Sequence, residues 1–455
     1  MKQAHAWVLV MNMYQLMETL FPIYRTLMGV GVRKTIEKLT DYGLPLDVHA
    51  IPSGTGAFDW TVPDEWELDD AYFGKSIDFR EREAVIYSQS FDARISGAEA
   101  KKHLHYSEEM PDAVPYVTSY YKRDWGFCVT KAEYEKIRDD DYYRAVIKAR
   151  FFPGVLSYAD LILPGESRHE ILFSTYLCHP SMANDNLSGI VVQAELAKWV
   201  MSLPERKYTY RFIWCPETIG PIVYISQNEI FAHMSRNIPK HQVPQKVIAG
   251  WVLTCLGGPG NFALQHTKWG DTYADKVGAH VLSHLGKNYS SYPWEDRASD
   301  ERQWVMAGFP VASIQKTKCG TYPEYHTSAD NLDFVKPDHL EESLEVYKRI
   351  VEVCENDGYY LSNVCCEPFM TKHGLYPTLS KRGSSGSARD YMNVWSYCDG
   401  EHSLFQIAQR LKKPFWEVLE IAKELEKHHL LRGGGLARWT KESSMRPGTD
   451  TDDLS

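Results

Sequence analysis

Hydrophobic and polar positions follow two different periods in the middle of the chain. Residues 170–177 form an apolar-rich run that is typical of a buried strand, whereas residues 189–201 repeat apolar positions at helical spacing. Residues 208–215 and 307–314 are further strand-like runs. Strands and helices alternate in this way across residues 142–359. This alternation predicts an α/β fold, with a mostly parallel sheet covered by helices on both faces.

The regions on either side follow other patterns. Residues 54–121 contain short alternating runs among Asp, Trp and Tyr residues, which predict a small β-rich domain inserted into a core of residues 1–53 and 122–380. Residues 388–441 have the spacing of a helix-turn-helix followed by a glycine-rich wing, and they predict a C-terminal winged-helix domain. The composition of residues 442–455 predicts a disordered acidic tail.

Imidazole and carboxylate groups lie next to the strand-like runs. His179 and Asp185 fall between a predicted strand and a predicted helix, which is where ligands gather in open α/β sheets. Glu217, Asp300 and His326 follow in that order. Each has a structural alternative when taken alone, such as a helix cap for Asp185 or an ion pair with a neighbouring arginine for Asp300. Their joint occurrence favours one metal site, because zinc accepts these groups as ligands.

This order of groups resembles the M28 family of zinc aminopeptidases, whose pattern is a histidine before a bridging Asp-Asn, then Glu-Glu-x-Gly, Ser-Asp-His and a late histidine. The resemblance covers residues 142–354 and implies one zinc ion on His179, Asp185 and Asp300. A second zinc ion would share Asp185 with His326 and residue 218. Because residue 218 is threonine, which supplies no carboxylate, the number of zinc ions stays open at one or two.

The whole chain is also similar to a bacterial group of aminopeptidase-like proteins of unknown function, which combine an inserted β-rich domain with a C-terminal winged helix. The phrases that carry this likeness are residues 14–22, 125–128, 178–180, 216–220, 299–303 and 324–330. The likeness implies a zinc-aminopeptidase-like fold for the core. It also makes Thr218 and Glu301 features of the subgroup rather than of this chain alone.

The resemblance implies roles for the remaining polar groups. Glu217 matches the first glutamate of the M28 pair and is the candidate general base, because hydrolysis near neutral pH needs a group that takes the proton of the attacking water. Alternatively, Glu217 binds a metal ion and Glu301 acts as the base. Tyr325 and Arg302 are the candidate substrate-binding residues. Residues 115–121, with three tyrosines, either cover the site or pack between domains.

Together these features imply a cytoplasmic, zinc-dependent aminopeptidase or amidohydrolase. Its substrate would be a small peptide or amide with a free amino group, cleaved by metal-activated water. A cyclase or aminoacyl-transfer enzyme with one zinc ion is an alternative within the same fold. An alternative from another class is a non-catalytic scaffold whose winged helix binds a partner.

The charge of the chain narrows the range of binding partners that we expect. The formal net charge of −10 gives no general attraction for nucleic acid. Residues 389–441 contain nine Lys and Arg residues against seven Asp and Glu residues, so the predicted winged helix lacks the basic face that DNA binding requires. We therefore expect no nucleic-acid partner, and we expect a homodimer or protein docking through the inserted or winged-helix domain.

The cysteines and the apolar runs of the sequence indicate the cellular compartment in which we expect the protein. The nine cysteines include no Cys-x-x-Cys pair, which favours reduced thiols in the cytoplasm. Cys178, next to His179, is either a nucleophile or a packing residue, and the buried strand before it favours packing. No run approaches the ~20 apolar residues that a membrane span needs, and the first residues favour a packed helix over a signal peptide.

Overall fold

The structure is a computed structural model that describes residues 11–74, 84–120, 122–228, 247–375 and 386–434. The chain divides into two compact units. The larger comprises Met1–Lys276 and Asn288–Glu345, and the smaller comprises Val277–Lys287 and Val346–Ser455.

The helices and strands of the described residues alternate through most of the chain. The α-helices are α1 (Met13–Leu20), α2 (Val30–Asp41), α3 (Gly97–Ala100), α4 (Lys131–Glu135), α5 (Gly189–Met201), α6 (Ile219–Gln227), α7 (Tyr273–His284), α8 (Glu301–Met306), α9 (Pro337–Asn356), α10 (Gly386–Tyr397), α11 (Leu404–Leu411) and α12 (Phe415–Lys427). The strands are β1 (Asp47–Pro52), β2 (Gly56–Ala57), β3 (Trp60–Thr61), β4 (Glu65–Phe73), β5 (Phe91–Ser96), β6 (Leu104–His105), β7 (Phe127–Cys128), β8 (Tyr142–Phe152), β9 (Val155–Leu163), β10 (Glu170–Tyr176), β11 (Thr209–Cys215), β12 (Val247–Leu253), β13 (Phe262–Gln265), β14 (Tyr289–Tyr292), β15 (Val311–Gln315), β16 (Tyr359–Ser362), β17 (Asp399–Ser403) and β18 (Leu431–Gly434).

An eight-stranded sheet forms the centre of the larger unit, in the order β1-β9-β11-β10-β12-β15-β13-β14. Its middle strands, β11, β10, β12 and β15, are parallel, and antiparallel pairs lie towards both edges. Every residue of β10 and β12 is buried. Because neighbouring side chains of a strand point to opposite faces, both faces of the sheet are covered here. The predicted α/β fold with a mostly parallel sheet is confirmed.

The crossover from β10 to α5 is tight. The chain leaves β10 at Tyr176, passes through an irregular turn at Ala183–Ser188 and enters α5 at Gly189. A Cβ atom at Gly189 would overlap the main-chain oxygen of Leu253, so glycine lets the first turn of α5 approach the end of β12. Apolar residues occupy nearly all sides of α5 and are buried, which is the pattern of a core helix.

A second, three-stranded antiparallel sheet has the order β4-β8-β5. The predicted inserted domain at residues 54–121 contains β4 and β5, but the central strand β8 lies beyond that range. Neither β4 nor β5 would have these main-chain hydrogen bonds without β8, so the sheet extends past the predicted boundary. The division into domains at residues 54 and 121 stays a prediction.

The smaller unit contains a three-stranded sheet in the order β17-β16-β18, together with α10, α11 and α12. Ser403 begins α11 with a reciprocal cap, because its hydroxyl accepts the N–H of Gln406 while the Gln406 side chain accepts the N–H of Ser403. The predicted range of 388–441 omits β16, which pairs with both other strands. The predicted tail at residues 442–455 lies outside the described residues.

Among the helices that the structure describes, none has both the length and the mean hydropathy of a membrane span.

A buried ion pair joins two strands of the central sheet. Arg211 of β11 donates to both carboxylate oxygens of Glu170 on β10, at 2.7 and 3.1 Å. Its remaining terminal nitrogen donates to the hydroxyl of Tyr224 at 2.6 Å, and that hydroxyl donates to Asp160 at 2.6 Å. Both charged partners of the main pair are almost fully buried. Removal of either one would therefore leave an uncompensated charge inside the protein.

Glu170→Gln should lower the free energy of unfolding by about 3 kcal/mol, which is the lower end of the range for breaking a buried pair. We expect the lower end because Asp160 lies 3.7 Å from Arg211 and compensates part of its charge. Chemical denaturation measures the change. The control is Glu67→Gln, which removes an exposed partner of Arg150 and should leave the denaturation midpoint in place. Equal midpoints for the two variants would contradict the role of the buried pair.

Candidate metal centre

Three side chains that can bind a cation meet beyond the carboxyl end of β10. His179 follows β10, Asp185 lies in the turn before α5, and His326 lies in the loop between β15 and α9. One ligand atom of each lies within 4.8 Å of the other two. Oδ2 of Asp185 is 3.0 Å from Nε2 of His326 and 3.9 Å from Nε2 of His179. We refer to His179, Asp185 and His326 as the three-ligand cluster.

Two atoms of the three-ligand cluster test whether it suits a metal ion. Oδ2 of Asp185 and Nε2 of His326 are both buried, and they lie 3.0 Å apart without the geometry of a hydrogen bond. Buried polar atoms rarely lack a partner, so one cation that contacts both would satisfy them. Two ligand atoms about 2.0 Å from one tetrahedral zinc ion lie about 3.3 Å apart, which is close to this separation. The residues present fit zinc.

The charges of the cluster also suit a cation. Burial raises the pKa of Asp185, but the imidazoles of His179 and His326 and the hydroxyl of Tyr176 outweigh burial and hold this pKa at about 2. Burial lowers the pKa of His179 to about 4. At pH 7, Asp185 is therefore charged and His179 is neutral, which are the protonation states that metal binding requires.

Asp330 fixes the position of Asp185. Its carboxylate accepts the main-chain N–H groups of Asn184 at 2.6 Å and Asp185 at 2.9 Å, and its carbonyl oxygen accepts the N–H of Ala183 at 2.9 Å. The hydroxyl of Tyr176 donates to Oδ1 of Asp185, which leaves Oδ2 to face the cluster. Asp330 is not among the site residues predicted from the sequence. Its place four residues after His326, within a recognised phrase, was the available signal.

Arg25 and Cys178 both contact His179, the first at its carbonyl oxygen and the second at its ring. Nε of Arg25 donates to the carbonyl oxygen of His179 at 2.9 Å, and Sγ of Cys178 lies 3.5 Å from Nδ1 of His179. Sγ of Cys178 also accepts the N–H of Glu217 at 3.3 Å. Burial raises the pKa of the Cys178 thiol well above its ordinary value, so the thiol is a poor nucleophile and these contacts favour the packing interpretation.

Aromatic rings enclose the two imidazoles. The ring of Tyr325 stacks on that of His326, with 3.9 Å between their centroids. Tyr116 lies 5.2 Å from His179 and 5.0 Å from His326, measured between ring centroids. The N–H of Tyr116 donates to the carbonyl oxygen of His326 at 2.7 Å, which ties the covering segment to the loop of His326. Part of residues 115–121 thus covers the cluster, while the substrate role of Tyr325 stays a prediction.

Glu217 lies at the edge of the three-ligand cluster. Its Oε2 is 3.9 Å from Nε2 of His179, and its side chain keeps 26% exposure. Burial, and then the negative charges of Asp300 and Asp185, raise the pKa of Glu217 well above its ordinary value. A carboxylate with a raised pKa is better matched to proton transfer near neutral pH.

Asp300 and Glu301 are buried, but neither belongs to the three-ligand cluster. Oδ1 of Asp300 accepts the N–H of Thr218 at 2.7 Å, its Oδ2 has no hydrogen-bond partner, and burial raises its pKa to about 7. Oε1 of Glu301 accepts the N–H groups of Ala298 and Ser299, both at 3.0 Å, so Glu301 secures its own loop. The ligand role of Asp300 and the alternative base role of Glu301 stay predictions.

The turn that presents Glu217 is strained and tightly packed. Thr218 has a φ of +63°, which is unusual for a β-branched residue. A Cβ atom at Gly220 would lie 2.7 Å from Cβ and 2.9 Å from Sγ of Cys215, so a larger residue here would force one of these groups to move. The glycine that ends the recognised phrase at residues 216–220 therefore has a steric basis. Nη2 of Arg302, a predicted substrate-binding residue, donates to Oγ1 of Thr218 at 2.7 Å.

Gly220→Ala should lower the free energy of unfolding by about 1–3 kcal/mol, because the added methyl group forces Cys215 or the first turn of α6 to move. Thermal and chemical denaturation measure the loss. The matched control is Gly56→Ala, where a Cβ atom meets nothing within 4 Å and stability should not fall. A Gly220→Ala protein as stable as the control would refute the tight contact.

The fold and the cluster define the class, an aminopeptidase-like α/β protein. A zinc aminopeptidase from Bacillus subtilis has the same fold, with a TM-score of 0.55 over 76% of this chain and 95% of that chain, at 13% identity. The predicted likeness to the M28 zinc aminopeptidases is therefore confirmed for the fold.

The family follows from the sequence. Residues 14–357 match the family model described as "Domain of unknown function (DUF4910)", so the chain belongs to this family. Residues 359–433 match a model described as winged helix-turn-helix, which confirms the predicted C-terminal winged helix and includes β16.

Two matches from Clostridium acetobutylicum extend over almost the whole chain. One is a protein proposed to act in polysaccharide biosynthesis and bearing an aminopeptidase-like domain. It is 38% identical over an alignment of 436 residues that covers 92% of this chain and 96% of that one. The other is a crystal structure of a proposed peptidase, with 36% identity and a TM-score of 0.82 over 92% of this chain and 96% of that one.

Proposed function

We propose that the protein is a zinc-dependent aminopeptidase or amidohydrolase that cleaves a small peptide or amide with a free amino group. The observation that carries this proposal is the convergence of three buried ligand atoms, Oδ2 of Asp185, Nε2 of His326 and Nε2 of His179. Glu217 beside them supplies a carboxylate with a raised pKa. The shared fold with zinc aminopeptidases supports the same reading.

The three-ligand cluster would hold the zinc ion. A zinc ion bound there supplies Lewis acidity, which can lower the pKa of water to about 7 and polarise an amide carbonyl. Glu217 takes the proton from the attacking water and returns it to the leaving amine. Cys178 holds the main chain of Glu217, and Tyr176 and Asp330 hold Asp185, so both acidic groups keep fixed positions.

The negative charge of the site supports a substrate with a free amino group. Asp185, Glu217 and Asp300 are acidic groups close enough for their charges to influence one another. An ammonium group is favoured beside such carboxylates. Tyr325 contributes an aromatic wall next to His326 for the remaining part of the substrate. Amides carried by amino sugars belong in a substrate panel, because one relative is proposed to act in polysaccharide biosynthesis.

A cyclase or aminoacyl-transfer reaction with one zinc ion is the second candidate function. Thr218 favours it, because this residue supplies no carboxylate where the M28 pattern has a second glutamate. Both candidates need the same three-ligand cluster and the same base. They differ in whether water or an amine of the substrate attacks the carbonyl.

We propose that the winged helix docks protein, including a second copy of this chain, and not nucleic acid. The exposed positions of α12 hold two acidic and two basic residues, Glu417, Glu420, Lys423 and Lys427. Such a balanced face does not provide the positive charge that phosphate binding needs. The nine cysteines include no Cys-x-x-Cys pair, which supports a reducing compartment, the cytoplasm.

Glu217→Gln should lower the turnover number about 10²–10⁴-fold, which is the usual contribution of a general base. The zinc content should stay at the level of the unchanged protein, because Glu217 is not in the three-ligand cluster. Amide hydrolysis across a substrate panel and elemental analysis measure the two quantities. Glu67→Gln on the exposed sheet serves as control. Loss of zinc from Glu217→Gln would make Glu217 a ligand, and full activity would exclude it as the base.

A further inference from the structure

One position of the M28 pattern does not fit this chain. The pattern places a second metal ion on Asp185, His326 and a glutamate at position 218, which is Thr218 here. Among the described residues, the three-ligand cluster is the one group of three or more His, Cys, Asp or Glu side chains that could hold a metal ion. Position 218 therefore offers a neutral hydroxyl and no metal-binding carboxylate.

Arg302 donates a hydrogen bond to the hydroxyl of Thr218. Its Nη2 donates to Oγ1 of Thr218 at 2.7 Å, and the N–H of Thr218 donates to Oδ1 of Asp300 at 2.7 Å. Arg302 is the second residue of α8, directly after Asp300 and Glu301. Thr218, Asp300 and Arg302 thus form a chain of contacts, which we call the 218–302 link.

The 218–302 link brings a permanent positive charge to a group of acidic residues. The guanidinium of Arg302 and the carboxylate of Asp300 both contact Thr218, the first through its hydroxyl and the second through its main-chain N–H. A guanidinium stays charged at every physiological pH, and its planar donors are fixed in direction. A metal ion placed there would lack a carboxylate from residue 218 and would be repelled by Arg302.

We propose that the guanidinium of Arg302 replaces a second metal ion in this chain. The protein then binds one zinc ion, on His179, Asp185 and His326, and Arg302 acts as a positioning residue. It holds Thr218, and through Thr218 the neighbouring Glu217, while it balances the charge of Asp300. This inference rests on the proposed function, because it assumes that the three-ligand cluster binds zinc.

The first test is the number of zinc ions bound per full-length chain, measured by titration calorimetry and by elemental analysis after zinc loading and desalting. One ion per chain, lost in His326→Ala, is the expected result. Two ions per chain would overturn the inference and leave the proposed function standing. Binding of no ion would overturn the proposed function and, with it, the basis of this inference.

The second test restores the missing carboxylate and removes the guanidinium. We expect the double variant Thr218→Glu/Arg302→Met to bind two zinc ions per chain, while Thr218→Glu alone binds one because Arg302 pairs with the new carboxylate. Glutamate is not β-branched and tolerates the φ of Thr218 at least as well as threonine. Arg302→Lys combined with Thr218→Glu should bind one ion, because lysine keeps the charge.

Folding is checked independently, so that the second test stays decisive. Circular dichroism and the affinity of the first zinc ion should match those of the unchanged protein in every variant. A folded double variant that still binds one ion would overturn the role of Arg302. Two ions in the variant that carries lysine would overturn the charge argument.

Discussion

The contact between Asp330 and the crossover turn is the interaction on which the site depends. Asp330 lies in the loop of His326, and its carboxylate accepts the N–H groups of Asn184 and Asp185, which follow β10. Two segments that are far apart in the chain are thereby joined at the point where Asp185 meets His326. Ligand atoms must be placed within fractions of an ångström, and a pair of hydrogen bonds to the main chain achieves this better than packing alone.

The rest of the site follows from that junction and from the sheet beneath it. Parallel strands end at one edge, so β10 and β11 deliver His179 and Glu217 next to each other. Tyr116 and Tyr325 enclose the imidazoles, which limits water around the charged groups. The two imidazoles and Tyr176 lower the pKa of Asp185 despite its burial, whereas burial and the neighbouring carboxylates raise that of Glu217. This difference supports the proposed roles of Asp185 as a ligand and Glu217 as a base.

Features that depend on the local hydrophobic period or on the order of motifs could be predicted from the sequence. It located β10, β11 and the crossover correctly, because an apolar run and a helical repeat are readable without tertiary contacts. It also selected the members of the three-ligand cluster. It missed the part of β8 in the small sheet, the place of β16 in the winged helix and the contact of Asp330, since each depends on partners distant in the chain. The 218–302 link was hidden for the same reason.

We propose that His179, Asp185 and His326 bind one cation together. Anomalous diffraction at the zinc absorption edge, on crystals of the full-length chain grown with zinc, tests it most directly. We expect a single strong peak within bonding distance, about 2.0–2.2 Å, of Oδ2 of Asp185 and Nε2 of both histidines. A fully ordered cluster without a peak, or zinc bound only elsewhere, would contradict it.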